Sequence, residues 1–437
     1  MPPLNSDSPM PELEARPRTF IPGPLRGSID LPGDKSISHR ALITAAASAR
    51  PIEIRNLNPG RDVRATREAL VALGARIEGD GAFVRVSGSG LREPMGEIDC
   101  MNSGSTARMV LGVCAGADVP ARFDGDASLR RRPMEPVAAQ LRAFGARIDT
   151  TGGVLPMTIS ATPEIETRRF ILIAPSAQIK SALLFAGLYA NSSVEILGDR
   201  SSRDHTERLM RYQGADISWD GRTIALRSGI TRAEPIDVAG DFSSAAFFIV
   251  AATVTPGSEL TIRHAGVNPT RTGLLDALLD MGADIELRNA REVCGEPVAD
   301  LIVRHAELHG TTIDADRALR AVDEIPILAV AAAFARGNTK ITGVRDLRTK
   351  ESDRVAAIER LLGAARITVD VAANGLVIEG GTPKGTGAVV ETHDDHRIAM
   401  ATAALAAGAG PVAVDSDASI DVSFPAFIET LRSVQVA

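Results

Sequence analysis

Aromatic side chains make up only 3% of the 437 residues, which removes most of the stacking platforms used by single-strand nucleic-acid binders. A basic surface is missing too. The chain carries 48 basic and 55 acidic side chains, a net charge of −7, so non-specific binding to a phosphate backbone has no electrostatic footing. Cysteine is scarce: Cys100, Cys114 and Cys294 are far apart and odd in number, implying neither a disulfide framework nor a thiolate metal site. Cys114, inside the apolar run MVLGVCAGA, reads as a small buried hydrophobe rather than a nucleophile. No apolar stretch reaches the roughly 18 residues a membrane span needs. The opening MPPLNSDSPMPELEARPR has no apolar h-region, so no secretory leader is expected, and it reads as a loose tail to about Arg18. With 44% hydrophobic and 24% charged residues, the expectation is a globular cytoplasmic protein without a nucleic-acid or membrane partner.

What the chain does contain is a repeat. A helix, a Gly-Ala step and a strand recur in REALVALGARIEG (67–79), AQLRAFGARIDT (139–150), ERLMRYQGADISW (207–219), LDALLDMGADIEL (275–287) and IERLLGAARITVD (358–370). Each has apolar residues at helical spacing before a Gly suited to the left-handed position after a helix. A sixth copy starts at FIETLRSV (427–434). Interleaved are Ala-rich segments that are apolar nearly all round, such as STARMVLGVCAGA, DFSSAAFFIVAATV and DHRIAMATAALAAG. Helices of that kind belong in the interior, with the amphipathic ones nearer solvent. Six units of about 73 residues are each large enough for a βαβαββ subdomain, and three plus three predicts two similar lobes. One boundary falls near IDVAGD (236–241), and a second crossing near LPGD (31–34).

The polar residues that most need explaining begin the Ala-rich helices: GDKSISHR (33–40), NSGSTAR (102–108), SAQIKSA (176–182), VDEIP (322–326) and HDDHR (393–397). The loops GDASLRRRPM (125–134) and RTKESDR (348–354) add charge. A helix N-terminus offers unpaired N–H groups and partial positive charge, so several aimed at one point form an anion site. Lys35, Arg40, Arg132, Lys350, Arg354 and Arg397 each sit in one of these segments of a net-acidic chain. Brought together they suit a substrate with several phosphates or carboxylates. Two acids share that company. Asp323 reads equally as a helix cap and as a base. Glu351 reads either as an ion-pair partner of its neighbours or as a proton donor. His396 is either a third proton carrier or a structural histidine. No His, Cys and carboxylate cluster has metal spacing, and no GxxxxGK[ST] or GxGxxG follows a strand.

LPGDKSISHRAL, NSGSTAR, GDASLRRRPM, SAQIKSALLFAGL, RDHTERLM, DEIPILAVAAAFA, RTKESDR and DDHRIAMA, in that order, closely resemble the motifs of the 5-enolpyruvylshikimate-3-phosphate synthase family. The resemblance runs from about residue 20 to the C-terminus. It implies a two-lobed inside-out α/β barrel of six βαβαββ units, with buried helices and sheets outside. It places one lobe at 34–236 and the other at 19–33 plus 237–437, with 1–18 as tail. The implied reaction transfers the enolpyruvyl group of phosphoenolpyruvate to the 5-hydroxyl of shikimate 3-phosphate, on the route to chorismate. It proceeds by addition and elimination through a tetrahedral intermediate, without metal or cofactor, and a monomer is expected.

By motif position, the resemblance assigns Lys35 to both substrates. Ser36, Arg40, Ser176, Ala177, Gln178 and Arg203 go to shikimate 3-phosphate, with Asp323 and Lys350 also beside it. Gly104, Arg132, Gln178, Arg354 and Arg397 go to phosphoenolpyruvate. Asp323 takes the 5-hydroxyl proton, Glu351 protonates the methylene carbon and Lys350 steadies the charge; His396 is grouped with these catalytic candidates on the reading of the residues given above, not on the resemblance. The chain departs from the pattern in three places. Spacing leaves Arg130, Arg131 and Arg132 open, with Arg132 before Pro133 preferred. Ala177 stands where many members have a second Ser. The loop DSDASIDVSFP lacks a lysine that some members carry. The sister enolpyruvyl transferase acting on UDP-N-acetylglucosamine is the alternative, but it usually has a Cys in the loop matching GDASLRRRPM, and none is present here. A non-catalytic anion-binding protein of this fold would have no use for Asp323 and Glu351. Gly104, without a methyl, leads us to expect inhibition by glyphosate.

Overall fold

The computed structural model describes residues 17–88, 90–162, 164–198 and 202–436. Residues 1–16 of the expected tail lie outside the described residues, and Arg18 is not part of it. Arg18 opens the strand Arg18–Phe20, paired antiparallel with Val412–Val414, and its guanidinium is bonded to Asp417.

Six helices form the interior, and their composition explains why. Phe242–Val254 and Ile325–Ala333 are buried at every position, and Lys35–Ala46, Gly104–Ala117, Ala177–Tyr189 and His396–Ala409 at most. With no polar face to keep wet, they must be enclosed on all sides. Small residues then permit close contact. A Cβ on Gly112 would stand 2.2 Å from the Ala182 carbonyl oxygen, so the helices Gly104–Ala117 and Ala177–Tyr189 touch backbone to backbone there.

Among the described residues, five four-stranded sheets and one of three strands lie around these helices. The Gly-Ala repeat links each amphipathic helix to its sheet, and Gly74, Gly145, Gly214 and Gly282 take the left-handed conformation expected of them. The fifth copy differs. Arg366 has a φ of 62°, while Gly363 has no positive φ, because the chain runs on through Ala364 and Ala365 before turning.

The buried apolar side chains fall into two clusters. One draws on residues 37–239 with Val298, the other on 20–31 and 242–434. Two strands are exchanged between them. Arg26–Asp30, just before the first buried helix, pairs parallel with Glu259–Gly266 of the second cluster. Ile236–Asp237, just before the fourth buried helix, pairs parallel with Ile52–Arg55 of the first. The crossing segments meet at Gly33 and Gly240, which form an antiparallel bridge. A Cβ on Gly33 would lie 1.7 Å from the Asn56 carbonyl oxygen, so only glycine fits the crossing.

Candidate active site

Between the two halves lies a cleft of about 710 Å³, and all six buried helices contribute to it from their N-terminal ends. Lys35, Gly104, Ala177, Asp241, Asp323 and Arg397 mark them in chain order. Side-chain caps fix five of these ends: Asp34, Ser103, Ser176, Asp241 and Asp395 each accept a backbone N–H of the first turn. The remaining helix, Ile325–Ala333, has Glu324 at the cap position without a side-chain bond. Asp323 is therefore not a helix cap, which settles one of its two readings.

On the first half's face, Lys35 Nζ is 2.7 Å from Asp62 Oδ2. Arg132 donates to Asn102 Oδ1 at 2.5 Å and to its main-chain oxygen at 3.3 Å, which leaves it facing the cleft. Of the three arginines in that loop, Arg130 instead turns to Asp124, where its side chain is 55% exposed. Gln178 accepts from Arg108 Nη1 at 2.6 Å and donates to Ser105 Oγ at 3.0 Å. Arg108 escaped the sequence reading because it follows the NSGST turn on a helix that otherwise reads as core. It stands beside Gly104, where a Cβ would meet Arg108 Nη1 at 2.8 Å and Arg132 Nη1 at 3.6 Å. Burial, with Arg132 nearby, pushes Arg108 down to about 10. Arg40 is placed behind this wall, 3% exposed. Its guanidinium donates to the Ser36 and Ala177 carbonyls and to Thr206 and Ser181 hydroxyls.

The second half's face is more densely charged. Asp323 meets Arg203 of the first half at 2.6 Å, with Arg354 at 3.6 Å and Lys350 and Arg397 each at 3.9 Å. Burial favours the neutral acid, but these cations outweigh it and hold the Asp323 carboxyl well below the usual range. Glu351 accepts from Arg354 at 2.7 Å and lies 3.5 Å from Arg132 across the cleft. It too is held well below its ordinary value, burial being overcome by Arg354 and Arg132. Burial lowers Lys350, with Asp323 and Glu351 offsetting part of the change.

Arg354 is fully buried and bonds Asp395 Oδ2 at 2.8 Å, so it acts on the cleft from behind Asp323 and Glu351. His396 also lies behind the wall, 2% exposed. Burial, then Lys35 and Arg397, pushes it down to about 3, which leaves the ring neutral. Neither of its nitrogens has a hydrogen-bond partner among the described residues. The structure thus brings Lys35, Ser36, Gly104, Arg132, Ser176, Ala177, Gln178, Arg203, Asp323, Lys350, Glu351 and Arg397 to one cavity, and sets Arg40, Arg354 and His396 directly behind it. Among the described residues no group of His, Cys, Asp and Glu could hold a metal ion, and no helix is long and apolar enough to cross a membrane.

Comparison with known proteins gives this geometry a lineage. A 3-phosphoshikimate 1-carboxyvinyltransferase of Gloeobacter violaceus is 48% identical over 423 residues, covering 94% of this chain and 97% of its own. One from an Anaeromyxobacter species is 45% identical over 94% of this chain and 96% of its own. The solved EPSP synthase of Acinetobacter baumannii superposes with a TM-score of 0.85 at 35% identity, over 96% of this chain and 98% of that one. The enolpyruvyl transferase NikO of Streptomyces tendae, 18% identical with a TM-score of 0.76 over 96% of this chain and 98% of its own, shares the fold. The family model of EPSP synthase (3-phosphoshikimate 1-carboxyvinyltransferase) matches residues 20–431, and the chain belongs to that family.

Proposed function

We propose that this cleft transfers the enolpyruvyl group of phosphoenolpyruvate to the 5-hydroxyl of shikimate 3-phosphate, releasing phosphate, with its residues in the following roles. The observation that carries the reading is that the N-terminal ends of six buried helices, two acids and cations from both halves converge on one cavity. Both substrates are polyanions, and such a cavity favours them although the protein is net negative. Ser36, Ser176, Ala177, Gln178 and Arg203 form the shikimate 3-phosphate side. Arg40, its donors occupied by protein oxygens, serves that side by holding Ser36 and Ala177 in line. Gly104, Arg132 and Arg397 take phosphoenolpyruvate, Lys35 bridges the two anions, and Arg354 holds Glu351 and Asp395.

Asp323 is ionised at rest and is therefore ready to accept the 5-hydroxyl proton as the oxygen attacks C2 of phosphoenolpyruvate. The displaced π pair takes a proton at C3 from Glu351. Elimination then breaks the C2–O bond to phosphate, while the Glu351 carboxylate takes a proton back from C3 and the double bond returns. Glu351 must itself be protonated to act. A substrate anion that engages Arg132 draws that cation away from Glu351 and raises its pKa, so binding arms the acid. Lys350 steadies charge beside Asp323, and the His396 ring, buried and held neutral by a pKa pushed down to about 3, fits its structural reading better than that of a proton carrier.

We further propose that the halves 34–236 and 19–33 with 237–437 move as lobes, a reading supported by the two apolar clusters except that Asp237 pairs, and Val238 and Ala239 pack, with the first half. We take the protein to act as a cytoplasmic monomer without nucleic acid, in keeping with its charge of −7. The test is phosphate release from phosphoenolpyruvate with and without shikimate 3-phosphate. Release that needs both is expected, and release indifferent to shikimate 3-phosphate, or none with both, contradicts the reading. Glyphosate should compete with phosphoenolpyruvate, because Gly104 puts no methyl group against the Arg108 and Arg132 guanidinium groups beside it. An inhibition constant far above the phosphoenolpyruvate affinity contradicts that.

A further inference from the structure

We infer that Glu324 is a positioning residue, joined through Ser243 and Arg271 to the crossing between the halves, that keeps Arg397 from collapsing onto Asp323. Glu324 has 0% exposure and, at the cap position, makes no side-chain bond to its own helix. Capping does not explain it, and neither does apolar packing. Its Oε1 instead accepts from Ser243 Oγ and lies 3.7 Å from Arg397 Nη1, while Oε2 has no hydrogen-bond partner among the described residues. Ser243 Oγ in turn accepts from Arg271 Nη2 at 2.6 Å. Arg271 is 3% exposed and reaches Asp241 at 3.1 Å and Asp34 at 3.4 Å, the caps of the first buried helix in each half. Asp241 also accepts the Lys35 N–H at 3.2 Å. A buried line of polar groups thus runs from Lys35, through the crossing, to Arg397.

A buried carboxylate is costly unless it meets a positive partner, and here the partner is Arg397. That guanidinium stands between two acids. Its Nη1 donates to the Asp323 main-chain oxygen at 3.0 Å, and its Nη2 stays 3.9 Å from the Asp323 carboxylate. Glu324 behind it balances Asp323 in front. Without the rear charge, Asp323 is the remaining counter-ion, and attraction draws Arg397 forward. The cation then neutralises the proposed proton acceptor and no longer points at an incoming anion.

The inference rests on the roles given above to Arg397 and Asp323, and its test separates the two. Steady-state kinetics for both substrates, with calorimetric binding of shikimate 3-phosphate, are compared in the parent, Glu324→Gln and Ser243→Ala. Glu324→Gln should raise the phosphoenolpyruvate KM about tenfold and lower kcat, with shikimate 3-phosphate affinity within about twofold of the parent. Ser243→Ala keeps the charge but cuts the tie to Arg271, so it should show the same selective effect at smaller size. It decides the matter alone should Glu324→Gln fail to fold. Variants matching an active parent, or losing both substrates in parallel with thermal stability, overturn the inference. A parent without turnover removes the reading beneath it.

Discussion

The two faces of the cleft come from repeats of one architecture, yet they hold their cations in opposite ways. On the first face, Arg40, Arg108 and Arg132 lean mainly on neutral oxygens of hydroxyls, carbonyls and the Asn102 and Gln178 side chains. Burial, only partly offset by Glu207, pushes Arg40 down to about 10, as burial does Arg108. On the second face carboxylates do the holding. Burial works against Arg354, but Asp395, Glu351 and Asp323 outweigh it and raise its pKa, and Asp34 and Asp241 do the same for Arg271. Lys35 is paired with Asp62 and Arg40 lies behind the wall, so the uncompensated positive charge that the first face offers an anion is that of Arg108 and Arg132. The second is nearly balanced, and its acids take their protonation from the positions of a few cations. On the proposed reading, most anion contacts fall to the first face, with Arg397 added from the second, and both proton-transfer groups, Asp323 and Glu351, fall to the second.

The contrast breaks most severely at Arg354. Arg354→Met strands Asp395, which is 0% exposed, and should destabilise the protein by about 3–5 kcal/mol, read from denaturant unfolding. Arg108→Met removes bonds to Gln178 and to the Pro133 carbonyl. Each such bond is worth about 1 kcal/mol, so the stability change should be the smaller of the two while the phosphoenolpyruvate KM rises. Equal losses in the two variants contradict the contrast.

Acid sharpens it next. His39 in one half and His396 in the other are buried, with pKa values driven below the ordinary 6.5 chiefly by burial. The unfolded chain takes up those protons first, so stability should fall in both halves as pH drops below about 6.5. Asp323, Glu351 and Asp395 are depressed as well. Their contribution is complete above the unfolded value and is lost as pH falls below about 4. The single tryptophan, Trp219, lies in a strand of the first half. Below about pH 4, unfolding followed by circular dichroism should run ahead of unfolding followed by Trp219 fluorescence, and coincident curves contradict this. The smallest effect concerns salt. Screening of the first face should raise the KM values of both anions about twofold as ionic strength climbs past physiological, and a salt-independent KM speaks against its uncompensated charge.

Much of this was legible in linear order because it rests on local patterns. Ala-rich stretches with no polar face had to be interior, and the Asp or Ser in front of five of them had to serve the helix ends. What stayed hidden depends on partners distant in the chain. Asp323 and Glu324 are adjacent, and only the fold shows that neither caps the helix by its side chain and that they face Arg397 from opposite sides. Arg271 sits in an unremarked loop, and its meaning comes from Asp34 and Asp241, over 200 and 30 positions away. Arg108 was masked by the apolar helix that carries it. The exchange of Arg26–Asp30 and Ile236–Asp237 between halves leaves no periodic trace, since a strand reads alike whichever sheet receives it.

The division of labour between the faces is tested most directly by one variant. Glu351→Gln keeps the shape of the second face and removes its proton, so shikimate 3-phosphate should bind as in the parent while phosphate release falls by at least about 10²-fold. Parent-like phosphate release, or loss of shikimate 3-phosphate binding together with turnover, would contradict the account.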